Sequence, residues 1–202
     1  MKNEKQEGFN KFIYIMEIAY AVFMSWGYAN IALGWKTNYE YCFCSIIATY
    51  VLIRFFFAPA HNLRTLAIEL RDRPFWQRVL FIVDIPVLML HSFIFYMMCD
   101  STSKGRYEQF YILFFFLLSI NVIWLLTIQI RMIMFKKPTL SKFSTWTTNN
   151  ALHYLLFGYL WVLCRNVILI SPFVWLFLIA LSNCLVDFII TAPVYLGFNK
   201  KS

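Results

Sequence analysis

Six long runs of predominantly apolar residues follow one another along the chain, separated by short polar segments. They cover residues 12–35, 41–60, 75–99, 110–135, 151–170 and 173–198. About 20 apolar helical residues, rising about 1.5 Å each, cross a hydrocarbon core of about 30 Å. The pattern therefore predicts an all-α, polytopic transmembrane helical bundle of about six spans, in a single integral membrane domain over residues 1–202. The break at Ser171-Pro172 leaves open whether residues 151–198 form two spans or a broken hairpin.

The composition agrees with lipid as the main solvent of this chain. Apolar residues make up 61% of its 202 positions and charged residues only 14%, whereas a soluble domain carries about 25% charged residues. A cleavable signal peptide is the competing interpretation of the first run. That run holds Glu17 and Asn30 and has no small-residue cleavage site near its end, so we expect a true span.

Lysine and arginine are distributed unevenly between the polar segments. Alternate segments are basic, and the intervening ones hold only Lys36, Lys104 and Arg106. Because short basic loops stay in the cytoplasm, six spans with both termini cytoplasmic are predicted. The net charge of +8 then follows from topology and anionic lipid, and no nucleic-acid partner is expected. The basic residues that could dock a cytoplasmic protein are Arg64, Arg71, Arg73, Arg78, Lys136 and Lys137.

The polar segments between the runs carry their own predictions. Residues 62–74 have a water-facing, helix-compatible pattern that favours a surface helix. Residues 136–150 are basic and rich in threonine and serine, with Pro138 as a helix stop, so they are predicted to form a loop.

Polar and ionisable residues inside the apolar runs are the candidate functional residues, because a charge in hydrocarbon is costly unless it is paired or wet. Glu17 and Arg54 lie on spans joined by a short loop, so they are the expected ion pair. Asp84 and Asp187 have no evident basic partner at their depth, which favours a protonated or water-facing carboxylate. The alternative role for such groups is hydrogen bonding between helices. The candidate pore-lining or intramembrane polar residues are Glu17, Arg54, Asp84, His91, Asn121 and Asp187.

Motifs of catalysis and of cofactor binding are absent from the sequence. There is no zinc-binding histidine pair, nucleophile elbow, phosphate-binding glycine loop or close aspartate pair. We therefore expect no catalytic residues, no metal and no cofactor. The Arg54 to His61 spacing resembles one class of ribonuclease domains, but the lipid-like residues between them argue against RNA binding.

A resemblance can be stated for spans two to four. Arg54-Phe55-Phe56 with Asn62-Leu63, then Asp84, then Asn121-Val122-Ile123-Trp124 resembles a pattern in small bacterial polytopic membrane proteins of unassigned function. The helix count and order more distantly resemble the bacterial relatives of the lysosomal potassium leak channel, small six-span subunits that assemble into pores. That family has Phe-Ser-Asp in its first span, where this chain has residues 21–26 as Ala-Val-Phe-Met-Ser-Trp.

Three functions are carried forward as hypotheses. The first is a subunit of a homo-oligomeric, cation-favouring ion channel or pore. The second is a membrane-resident accessory or effector protein that docks a cytoplasmic partner, as in bacterial phage defence. The third is a small-solute transporter. The expected location is the bacterial inner membrane, with the lipid bilayer and further copies of the chain as partners.

Overall fold

The described part of the chain is entirely helical in the computed structural model, which describes residues 2–70, 84–134, 140–166 and 172–195. Within these ranges there are no strands. The helices are α1 (Lys2–Leu33), α2 (Tyr39–Leu70), α3 (Asp84–Ser103), α4 (Tyr107–Met134), α5 (Leu140–Asn166) and α6 (Pro172–Tyr195). Among the described residues, three stretches are long and apolar enough to cross a membrane, namely 84–103, 107–131 and 173–190. The all-helical prediction is confirmed for the described residues, and these three stretches fit a membrane protein.

Two predicted boundaries are wrong. The surface helix expected at 62–74 is continuous with α2 as far as Leu70, and the rest of it lies outside the described residues. The loop expected at 136–150 is helical from Leu140 onwards. Its polar residues suggested a loop, yet Thr147, Asn149 and Asn150 are buried inside the bundle. A polar stretch can stay helical in such a place because neighbouring helices supply its hydrogen-bond partners.

Local sequence explains where several helices end and begin. Gly105 has a φ of 75°, which glycine adopts without the steric cost of a side chain. Its N–H bonds the Thr102 carbonyl at 3.0 Å, and the Arg106 N–H bonds the Ser101 carbonyl at 2.8 Å. This pair of bonds is the Schellman motif that closes helix C-termini. Helix α6 begins at Pro172, the first helical position that proline favours.

The helices form a ring with one member partly inside it. Contacts follow the order α1, α3, α4, α5, α6 and α2, and α2 packs on α1 to close the ring. Helix α2 also packs against α3 and α4, so its side chains enter the centre of the bundle. Helices α1 and α3 approach closely, since a Cβ at Gly27 would lie 3.0 Å from the Tyr96 Cα. We call the end with the turns at 34–38 and 104–106 the turn end.

The interior is aromatic near the turn end, and the outer faces are apolar. The rings of Phe43 and Phe177 stack with centroids 4.2 Å apart between α2 and α6, and Tyr111 contacts Phe157 and Phe173. Outward-facing apolar residues include Ile15, Ile18, Val22, Trp26, Ile123, Leu155, Val162 and Ile189. Charged and amide side chains such as Asp187 and Asn150 are fully buried instead. This distribution is the reverse of that in a soluble protein, where charged groups lie outside.

Candidate functional site

Each of the six described helices contributes a buried polar side chain to one level of the bundle. Counted at about 1.5 Å per residue, these side chains lie about 18 to 24 Å from the turn end of their helices. The spread is about one helical turn. We call this set the polar layer; its members are Tyr20, Arg54, His91, Asn121, Asn150 and Asp187, with Asn183 one turn from Asp187 on α6.

Arg54 is the centre of the polar layer. Its side chain, 5% exposed, forms an ion pair with Asp187 through Nε. One terminal nitrogen donates to the Asn150 Oδ1 at 3.2 Å, and the other donates to the Asn183 Oδ1 at 3.5 Å. A single guanidinium therefore ties α2 to both α5 and α6, and its planar fork of donors suits this arrangement.

Asp187 is held by amide donors as well as by the arginine. Its side chain is 0% exposed, and its Oδ1 accepts hydrogen bonds from Nδ2 of Asn149 at 2.9 Å and of Asn150 at 3.5 Å. A buried carboxylate needs such donors because Coulomb attraction to one arginine only partly offsets its desolvation. The layer thus holds one positive and one negative group, each supported by neutral amides.

The opposite side of the layer is formed by α1, α3 and α4. The Tyr20 side chain is buried on α1. His91 and Asn121 are buried on α3 and α4. The His91 Nδ1 lies 2.7 Å from the Val87 carbonyl oxygen. Because a carbonyl only accepts, Nδ1 carries the hydrogen.

A second ion pair, largely buried, lies about 10 Å further from the turn end. Its carboxylate belongs to Asp84, which is two helical turns from His91 on α3. Asp84 accepts hydrogen bonds from both terminal nitrogens of Arg131, at 2.9 and 2.6 Å. The Trp124 indole donates to the same carboxylate at 2.9 Å, and its ring lies 5.9 Å from that of His91. Trp124 therefore connects the second pair to the polar layer.

Further polar contacts join α5 to its two neighbours. The Gln129 amide of α4 donates to the Thr147 hydroxyl at 2.7 Å. The His153 ring bonds the Asn149 carbonyl at 2.8 Å through Nδ1 and the Ser182 hydroxyl at 2.6 Å through Nε2. With Nδ1 donating to the carbonyl, a neutral ring accepts from the serine hydroxyl.

The structure brings together five of the six intramembrane candidates. Arg54, His91, Asn121 and Asp187 share the polar layer, and Asp84 is linked to it by a tryptophan. The sixth, Glu17, is half-buried on α1, and its pairing with Arg54 stays a prediction.

The expectation that both intramembrane aspartates lack a basic partner is wrong. Asp187 pairs with Arg54, and Asp84 pairs with Arg131. Arg54 and Asp187 lie on helices that are far apart in sequence, so loop length gave no indication of that pair. Asp84 and Arg131 lie on the consecutive helices α3 and α4, which the turn at 104–106 joins.

The basic docking candidates cannot be placed. Arg71, Arg73, Arg78, Lys136 and Lys137 lie outside the described residues, and so does the side chain of Arg64.

Sequence reasoning missed Asn149 and Asn150 as site residues because it placed them in a loop. The sequence did contain an indication of them, since two adjacent amide side chains beside an apolar run are unfavourable in contact with lipid. Asn183, four residues before Asp187 and thus on the same face of α6, could have been found from helical spacing.

The site offers hydrogen bonding and charge. In the described part of the chain no cluster of three or more metal-ligating side chains occurs. Comparison of the chain with protein-family models, curated proteins and solved structures found no match. The geometry of the polar layer is therefore the main guide to function.

Proposed function

We propose that this protein is a six-span membrane protein that conducts a small ion through the interior of its own helix bundle, across the polar layer. The observation that carries the proposal is that every described helix contributes one buried polar side chain at a common depth. Ionisable groups inside membrane bundles characteristically mark the paths of ions and solutes.

The six spans are supported by helix lengths as well as by the three apolar stretches. Helices α1, α2 and α5 have 32, 32 and 27 residues, more than the roughly 20 needed to cross a bilayer. They pack beside the three apolar helices. Alternating basic segments favour cytoplasmic termini, and a bacterial inner membrane is the proposed location.

A path inside each subunit fits the distribution of polar groups better than a path between subunits. The carboxylates that could line a pore are 0% and 4% exposed and face the bundle interior, whereas the outward faces are apolar. Further copies of the chain could still assemble around such subunits. Each of the two carboxylates is paired with an arginine, so the bundle interior has no excess negative charge there that would favour cations. The docking hypothesis depends on basic residues outside the described ranges and stays a prediction.

Ion flux through the purified full-length protein in liposomes tests this proposal. Potassium, sodium and chloride are compared in wild type and in the Asn183→Leu variant, which places an apolar branch beside Arg54. Asp100→Asn is the matched control, because Asp100 pairs with exposed Lys104 and Arg106 at the turn end. Size-exclusion chromatography before reconstitution confirms that each variant is folded.

We expect wild type and the Asp100→Asn control to conduct. Asn183→Leu should conduct at least about tenfold less, because it loses a hydrogen bond to a charged group. Absence of flux for all three ions in folded wild-type protein would refute the proposal. Uptake of a neutral solute without ion flux would favour a transporter instead.

A further inference from the structure

A serine hydroxyl and a histidine ring meet between α5 and α6. The His153 Nε2 lies 2.6 Å from the Ser182 Oγ, and the Nδ1 of the same ring lies 2.8 Å from the Asn149 carbonyl oxygen. Because a carbonyl only accepts hydrogen bonds, the Nδ1 of the neutral ring carries the hydrogen and the Nε2 is an acceptor. The Ser182 hydroxyl therefore donates its hydrogen to a basic imidazole nitrogen.

This use of the hydroxyl differs from that of four other serines in the described helices. A serine in a helix commonly donates to the backbone carbonyl three or four residues earlier. Such bonds occur at Ser92, Ser101, Ser103 and Ser119. Ser182 is directed instead to a side chain on another helix. Satisfaction of the hydroxyl alone does not require this pairing, because the backbone of α6 offers the same acceptor.

A chain of hydrogen bonds holds the imidazole in its orientation. The Asn149 carbonyl accepts from His153, and the Asn149 side chain donates to Asp187 at 2.9 Å. Asp187 is in turn paired with Arg54. A partner on Nδ1 fixes both the tautomer and the direction of the ring. Nucleophile, base and orienting group thus follow one another as in a serine–histidine catalytic pair, with a backbone carbonyl in place of the usual carboxylate.

Ser182 lies on the outer, apolar face of α6. The residue is exposed, and apolar residues at helical spacing from it are exposed as well, namely Leu178, Leu185, Val186 and Ile189. Residues three, four and seven positions apart share one face of a helix. His153 is only 7% exposed, so the base is sheltered while the serine is accessible from the lipid side. A reactant that reaches this serine must itself be lipophilic.

We propose that Ser182 is a nucleophile, activated by His153, that takes the acyl group of a lipophilic carboxylic ester. The Ser182 Oγ forms a bond to the ester carbonyl carbon while its hydrogen passes to the His153 Nε2. The bond from that carbon to the alcohol oxygen then breaks, and the alcohol leaves with the hydrogen from Nε2. Water, the second reactant, attacks the acyl carbon with His153 again as the base, which releases a carboxylic acid and restores the serine.

The test is labelling of purified full-length protein in detergent by a long-chain alkyl fluorophosphonate, located by peptide mass spectrometry. The oxygen of an activated serine attacks the phosphorus and fluoride leaves, whereas ordinary serines do not react. We expect a label on Ser182 and none on Ser119, whose hydroxyl donates to the Phe115 carbonyl at 2.9 Å. Absence of a label on Ser182 in folded protein would overturn the proposal.

Two variants test the activation. Ser182→Ala changes an exposed residue, so the protein should fold and carry no label. His153→Gln keeps a polar side chain beside the serine but cannot take its proton, so labelling should be at least about 100-fold slower. Ser119→Ala is the matched control and should be labelled at the wild-type rate. Undiminished labelling of Ser182→Ala, or a wild-type rate in folded His153→Gln, would overturn the proposal.

Cleavage of p-nitrophenyl laurate in mixed micelles tests the substrate class. We expect release of p-nitrophenol by wild type and by Ser119→Ala, and its loss in Ser182→Ala. A fluorophosphonate label on Ser182 without any cleavage of this ester would overturn the assignment of lipophilic esters. Neither measurement involves ion flux, so failure of this site and failure of the proposed conduction are separate results.

Discussion

Replacement of Asp187 by asparagine should strongly destabilise the protein, because it leaves the Arg54 charge buried without its partner. The two side chains are 0% and 5% exposed. Removal of one member of a buried ion pair costs about 3–5 kcal/mol. The new amide also presents a donor where Asn149 and Asn150 donate to the native carboxylate. We therefore expect a loss near the upper end of that range.

Equilibrium unfolding by sodium dodecyl sulfate in mixed micelles, followed by circular dichroism, measures this loss. Asp100→Asn is the matched control, since the same substitution removes ion pairs to Lys104 and Arg106 that are 58% and 49% exposed. Exposed pairs contribute about 0–1 kcal/mol. A free-energy difference below about 1 kcal/mol between the two variants would refute the buried pair.

A double variant separates the free-energy cost of an unpaired charge from the cost of lost packing. Arg54→Met combined with Asp187→Leu removes both charges and keeps apolar volume, and such replacements are often neutral or stabilising. We expect it to be more stable than Asp187→Asn alone by about 2 kcal/mol. It should not recover ion flux, because the proposed path crosses the polar layer at the guanidinium. A double variant less stable than the single one would contradict the electrostatic explanation.

Three further substitutions test other parts of the fold by the same unfolding assay. Asp84→Asn should cost about 2 kcal/mol, less than Asp187→Asn, because Arg131 is 14% exposed and can reach water once its partner is lost. Gly27→Ala should cost about 1–3 kcal/mol, because the new Cβ would meet the Tyr96 backbone at 3.0 Å and force α1 away from α3. Gly105→Ala should cost about 1 kcal/mol, because alanine is strained at a φ of 75°.

A glycine elsewhere in the bundle supplies the control for the glycine variants. Gly158→Ala should change stability by less than about 1 kcal/mol, because its Cβ would meet only the Phe115 ring, at 3.3 Å, which can shift. Equal effects of Gly27→Ala and Gly158→Ala would contradict the close approach of α1 and α3. No loss in Gly105→Ala would contradict the left-handed conformation of its turn.

Hydrophobic patterning predicted most of the helical architecture, since each apolar run overlaps a described helix. The pattern was less informative about where each helix begins and ends. Helix α5 begins at Leu140, well before the predicted span at 151, and its polar residues Thr147, Asn149 and Asn150 are buried. A loop and a helix with a buried polar face have similar compositions, and only the neighbouring helices distinguish them.

The candidate residues were found from the sequence, but their partners were not. Arg54 and Asp187 were selected because ionisable groups are rare at membrane depth. Pairing also depends on the order of helices around the ring, which places α6 beside α2. Short loops suggested α1 as the partner of α2 instead. Depth does not distinguish the two acids, since Glu17 and Asp187 lie about 24 and 22 Å from the turn end along their helices. The order of the helices around the bundle therefore decides which of them meets Arg54.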